Sequence, residues 1–143
     1  MLRENRGLLK NIPDELLRLN APTTVAYRQL TEPYRCTSGV VIPAGAVVAA
    51  FLASANRDEA RFANPNRLDL LRPNSQEQLG FSSGSPHYCM GAPLARIEIM
   101  SAFETVLNGT QGSLTILPPV RMRPTKLFRA IAELHLGFVP AES

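Results

Sequence analysis

The chain has 143 residues, 45% hydrophobic and 19% charged, and a net charge of +3. That length suits one modest domain, and that composition excludes a disordered or fibrous chain. The positive charge is mild and scattered, and with no tryptophan and three tyrosines nothing marks a nucleic-acid-binding face.

No basic-plus-apolar leader opens the sequence, so a cytoplasmic location is expected. The first twenty residues read as helical with a break. Asn11 is placed to cap a helix, with Pro13 in its first turn and Asp14 positioned to return the capping bond. Leu16, Leu17 and Leu19 give it an apolar side, and Ala21-Pro22 ends it. Val25 to Leu30 is rich in strand formers. Ser38-Gly39 and Pro43-Ala44-Gly45 bracket Val40-Val41-Ile42, which predicts short antiparallel strands. Ala46 to Ala55 reads as a strand running into a helix. The apolar run from Ala44 to Ala55 is too short to span a bilayer, so no membrane partner is expected. Asn56 to Gly80 is polar, proline-bearing and irregular, and long ordered loops usually carry function. Pro93 to Leu107 is the clearest helix, with a stripe of Leu94, Ile97, Met100, Phe103 and Leu107, ended by Asn108-Gly109. The tail offers a strand at Leu114 to Leu117, a break at Pro118-Pro119, and a strand near Ala132 to Phe138.

Between the irregular segment and the clear helix lies Phe81-Ser82-Ser83-Gly84-Ser85-Pro86-His87-Tyr88-Cys89-Met90-Gly91. It sets a cysteine at the mouth of a helix, where positive partial charge and free N–H groups favour a thiolate. Small residues allow the backbone to approach a flat ligand. Three readings of Cys89 are open at this point. It is an inert thiol in a turn; it is one ligand of a zinc site with His87, Cys36 and His135; or it is an axial ligand to a redox metal.

The segment resembles the cysteine signature of the cytochromes P450, F-x-x-G-x-[HR]-x-C-x-G, through Phe81, Gly84, His87, Cys89 and Gly91. Ala92-Pro93-Leu94-Ala95-Arg96-Ile97-Glu98 is similar to the bacterial members' "GAPLARLE" helix start. Glu15-Leu16-Leu17-Arg18 matches the family's E-x-x-R helix. Arg61-Phe62 with Asn64-Pro65-Asn66-Arg67 is similar to the stretch that follows it. Ala55-Asn56-Arg57-Asp58 resembles the family's "ANRDP" segment. One departure stands out: Cys89 lies one residue further from Phe81 than the pattern has it, with the extra residue between Gly84 and His87.

The resemblance implies an α+β fold, mainly α in the full family: the C-terminal part of the cytochrome P450 fold, as one partial domain over residues 1–143. It implies haem b (iron protoporphyrin IX) held through Cys89. His87 and Arg28 would meet its propionates, and Phe81, Gly84 and Gly91 would shape the loop. A buried Glu15–Arg18–Arg67 cluster would fix the meander. The implied activity is a haem-thiolate monooxygenase fed by a redox partner of ferredoxin or flavoprotein type. No distal A-G-x-[DE]-T motif precedes Glu15, so a truncated chain is expected. Such a chain would need a complementing N-terminal half or would self-associate. A non-catalytic auxiliary module that assists another enzyme, or a decayed gene product, are the alternatives.

Overall fold

The computed structural model describes residues 1–109, 112–125 and 128–140. A 3-10 helix, Arg6–Asn11, runs directly into α1, Ile12–Asn20. The continuation changes the part expected of Asn11. Its side chain caps nothing, because no free helix start is left to cap. Instead its amide donates to the Leu70 carbonyl at 2.8 Å and pins the irregular segment. The helix ends where expected, with Ala21 in extended geometry before Pro22.

Four short strands follow: β1 (Ala26–Gln29), β2 (Tyr34–Arg35), β3 (Val41–Ile42) and β4 (Val47–Ala50). β2 pairs antiparallel with β3 across the Gly39 turn, and β1 pairs antiparallel with β4 outside that hairpin, so the strands are short and antiparallel as expected. Gly39 and Gly45 hold φ of +87° and +80° at their turns, a backbone region that side chains disfavour. β4 leads into the short helix α2, Leu52–Ala55. Residues 56–91 then hold no regular element longer than the 3-10 turn Ser75–Glu77.

The last helix, α3, spans Ala92–Gly109. Its inner face is not the expected stripe. Ala92, Ala95, Ile99, Phe103 and Leu107 pack inward, while Leu94 and Ile97 are each 60% exposed. The helix carries apolar residues on more than one face, so its pattern alone admits more than one inward register. The core lies between α1 and α3. Leu8, Leu9, Ile12 and Leu70 form one cluster, with Ile99, Phe103 and Leu107 against it. Leu17, Phe81 and Ala92 form a second.

The tail is one long ribbon, β5 (Ser113–Met122) against β6 (Ile131–Val139). Pro118-Pro119 does not break β5 as expected. The register shifts between Leu117 and Arg121, so the prolines sit in a bulge where no ladder N–H is needed.

Candidate functional site

The site is framed from α1. Glu15 and Arg18 are fully buried, one helical turn apart. Arg18 Nε donates to Glu15 Oε2 at 2.8 Å and its Nη2 to Oε1 at 3.0 Å. Its remaining donors reach the carbonyls of Pro65 (2.7 Å), Asn56 (2.9 Å) and Arg67 (3.2 Å). The third arginine is not Arg67, as the sequence suggested, but Arg72. Arg72 Nε lies 3.1 and 3.2 Å from the two Glu15 oxygens, and its Nη1 donates to the Ala63 carbonyl at 2.7 Å. Arg67 is exposed and gives the cluster only its carbonyl. Two arginines stand five positions apart on a segment without periodicity, so spacing cannot choose between them. Burial of Glu15 works to raise its pKa. Hydrogen bonds from Arg18, the Asp69 N–H and Arg72 outweigh that and hold it below the usual carboxylate range.

This cluster ties the irregular segment to α1 by its carbonyls and so replaces the backbone ladder that the segment lacks. Asn56 adds a further tie, its Oδ1 accepting from the Leu79 N–H at 2.7 Å. Gln78, also fully buried, donates to Asp14 at 3.2 Å and accepts from the Gly80 N–H at 2.6 Å. The chain therefore enters the cysteine loop from a fixed point.

Phe81 is buried under α1 and α3, and its carbonyl accepts the Cys89 N–H at 3.0 Å. That bond closes the loop. Ser82 and Gly84 take φ of +58° and +75°, and the Ser85 N–H returns to the Ser82 carbonyl at 3.2 Å. The exit is regular: the Ala92 N–H reaches the Cys89 carbonyl at 3.1 Å and the Ala95 N–H the Gly91 carbonyl at 2.9 Å. Cys89 is a free, exposed thiol at the start of α3. Around it Met90 is 97% exposed and Tyr88 43%. His87 is exposed, its backbone N–H donating to Ser85 Oγ at 3.1 Å. Arg28, on β1, lines a small apolar pocket of about 180 Å³ together with Ser82, Ser83 and Ser85 of the loop. The fold thus brings Arg28 to the cysteine loop from 54 or more positions away in the chain.

Arg96 lies off the apolar stripe of Leu94, Ile97, Met100, Phe103 and Leu107. Its guanidinium bonds Asp14 at 2.6 Å and the Tyr88 hydroxyl at 2.9 Å, and stacks 4.8 Å from the Phe81 ring centre. Arg96 stands four residues after the buried Ala92 and so lies on the packed side of the helix, which the apolar stripe alone did not reveal.

Among the described residues no three His, Cys, Asp or Glu side chains converge as metal ligands. The loop offers one exposed sulfur, and its serines line an apolar pocket shared with Arg28. That combination fits a flat, apolar, carboxylate-bearing cofactor whose metal takes a single protein ligand.

The cytochrome P450 family model matches residues 2–113. The chain belongs to the cytochrome P450 family. It is 37% identical over 152 aligned residues to "Putative cytochrome P450 140" of Mycobacterium tuberculosis, covering 99% of this chain and 32% of that one. It is 36% identical over 116 residues to "Methyl-branched lipid omega-hydroxylase" of the same species, covering 81% of this chain and 27% of the relative. Among solved structures, P450BioI in complex with a hexadec-9Z-enoic acid ligated acyl carrier protein superposes with a TM-score of 0.87 at 37% identity, covering 96% of this chain and 35% of that one. The α+β arrangement expected from sequence is thus a part of the cytochrome P450 fold. The chain spans about a third of the length of these relatives. The family implies a haem cofactor. No helix among the described residues is long and apolar enough to cross a membrane.

Proposed function

We propose that this chain supplies the thiolate side of a haem-dependent monooxygenase that inserts one oxygen atom from O2 into an organic substrate. One observation carries the reading: a free thiol exposed at the mouth of α3, in a loop closed by the Cys89–Phe81 backbone bond and anchored to the buried Glu15 cluster. Relatives named as a hydroxylase and as an epoxidase support the reaction class.

On this reading Cys89 Sγ would hold the iron of haem b, and Arg28 and His87 would meet its propionates. Arginine offers a planar fork of donors to a carboxylate. Phe81, Gly84 and Gly91 shape the loop. When bound, the haem supplies oxygen activation, which an electron-rich thiolate promotes. Proton delivery and enclosure of substrate belong to the two thirds of the relatives' length outside the match. Electrons come from a ferredoxin or flavoprotein donor, and the protein works in the cytoplasm as a single partial domain over residues 1–143.

The test is a hemin titration of the reduced chain and of Cys89→Ser. The parent is expected to give the red-shifted ferrous-carbonyl Soret band of thiolate-ligated haem, and the serine variant to lose it. The same band in Cys89→Ser would refute the ligand assignment. A parent chain that stays colourless after desalting would overturn the enzymatic reading.

A further inference from the structure

We propose that Arg96 is a positioning residue for the Cys89 sulfur: it clamps the two residues that frame the cysteine, Phe81 and Tyr88, to Asp14 of α1. The inference deepens the thiolate reading and takes its functional meaning from it, but the ordering of the loop stands on geometry alone.

The cysteine loop is tied mostly to itself. The Ser82, Ser85 and Tyr88 N–H groups bond carbonyls at Leu79, Ser82 and Ser85, and His87 bonds Ser85 Oγ. Among the described residues, the one hydrogen bond that leaves residues 84–88 for another element runs from Arg96 Nη1 to the Tyr88 hydroxyl. Tyr88 is joined to Cys89 by a peptide bond, and Phe81 holds the Cys89 N–H. Arg96 touches both, by a hydrogen bond to one and a cation–π contact to the other, whose rings also meet edge to face at 6.4 Å.

The guanidinium is itself anchored. Asp14 is mostly buried and accepts from Arg96 Nη2 at 2.6 Å and from Gln78 Nε2 at 3.2 Å on the same oxygen. Gln78 in turn fixes Gly80 at the loop entrance. One carboxylate therefore orients the entrance through Gln78 and the exit through Arg96. A loop one residue longer than the family pattern has more freedom between those ends, and the Tyr88 hydroxyl is where that freedom is taken out. Charge-assisted bonds of this kind are stronger than neutral ones, and a planar donor fork can serve two partners while stacking on a ring.

Amide hydrogen exchange on the full 143-residue chain tests this without any cofactor. Arg96→Met is expected to speed exchange at the Tyr88 and Cys89 amides roughly tenfold, and Tyr88→Phe less so, while β1 and β4 keep their protection. Arg96→Lys, with charge but no fork, is expected to restore only part of the loss. With hemin bound, both Arg96→Met and Tyr88→Phe are expected to lower the fraction of thiolate-type ferrous-carbonyl species. Unchanged exchange at Tyr88 and Cys89 in both variants would overturn the proposal. So would faster exchange spread evenly through α1 and α3, or full restoration by lysine. Should Arg96→Met not fold, Tyr88→Phe decides alone, because it removes one half-exposed hydroxyl. Should the parent take up no hemin, the haem reading falls and the exchange pattern still decides the positioning role.

Discussion

Burial changes what an ion pair is worth. A surface Glu–Arg pair contributes little, whereas removing one partner of a buried pair leaves a charge without solvent or counter-charge and costs about 3–5 kcal/mol. Glu15, Arg18 and Arg72 are in the second situation, whereas Arg67 is exposed and lends the cluster only its carbonyl. Urea unfolding should therefore show Arg72→Ala losing about 3 kcal/mol or more, and Arg67→Ala changing stability by less than about 0.5 kcal/mol. Equal losses would return the third arginine to position 67. The lowered pKa of Glu15 also fixes a sign. A carboxyl whose folded value lies below its unfolded one adds stability above the unfolded value, and that stability drains away as pH falls through the folded value. Glu15→Gln should be less stable near neutrality and lose less on acidification; a parallel acid limb in the two proteins would contradict this. Glu15 and Arg18 were legible because their contact is local, three positions apart on a helix. Arg72 was not, because its partner lies 57 positions away and no period runs through the intervening chain. Arg96 was hidden for another reason: a charged residue near an apolar stripe reads as solvated unless its partners are known.

The secondary-structure elements were legible to different degrees, and packing accounts for the difference. The short antiparallel strands followed from turn chemistry, which acts within a few residues and closes the β2–β3 pair; the β1–β4 pair spans the whole of that hairpin and had no local signal. The extent of α3 followed from the absence of breakers between Pro93 and Leu107. Its inward face did not, since residues on several faces are apolar and only contact with α1 selects among them. Phe103 packs on the Leu8–Ile12 cluster, while Ile97 stands in solvent. Phe103→Ala is expected to cost about 2–3 kcal/mol and Ile97→Ala under about 0.5 kcal/mol in thermal unfolding. Similar costs would mean that the helix sits in the register its stripe suggested. In β5 the prolines were read as a stop because proline cannot feed a ladder. They are instead housed where the ladder skips, between Leu117 and Arg121.

At the scale of the whole molecule, two apolar clusters hold α1 and α3 together, but much of the remaining apolar surface faces outward. Leu114, Ile116, Leu117, Leu134, Leu136 and Phe138 of the β5–β6 ribbon are between 42% and 63% exposed. Exposed apolar surface on this scale draws a partner or a second copy. Sedimentation of the isolated chain is expected to show association at micromolar concentration. Ile116 and Leu136 face each other across the ribbon, so the paired Ile116→Lys and Leu136→Glu variant keeps a cross-strand attraction and should disperse it. An unchanged profile would place the sticky surface elsewhere. The Glu15 cluster has a consequence in time as well as in energy. Its bonds join residues 38 to 57 positions apart, and such closures are made late in folding because the intervening chain must first be gathered in. Interactions absent from the transition state leave the folding rate alone and slow the reverse step. The two arginines thus work as a latch: losing Arg72 should hasten escape from the native state in stopped-flow unfolding while refolding keeps its pace.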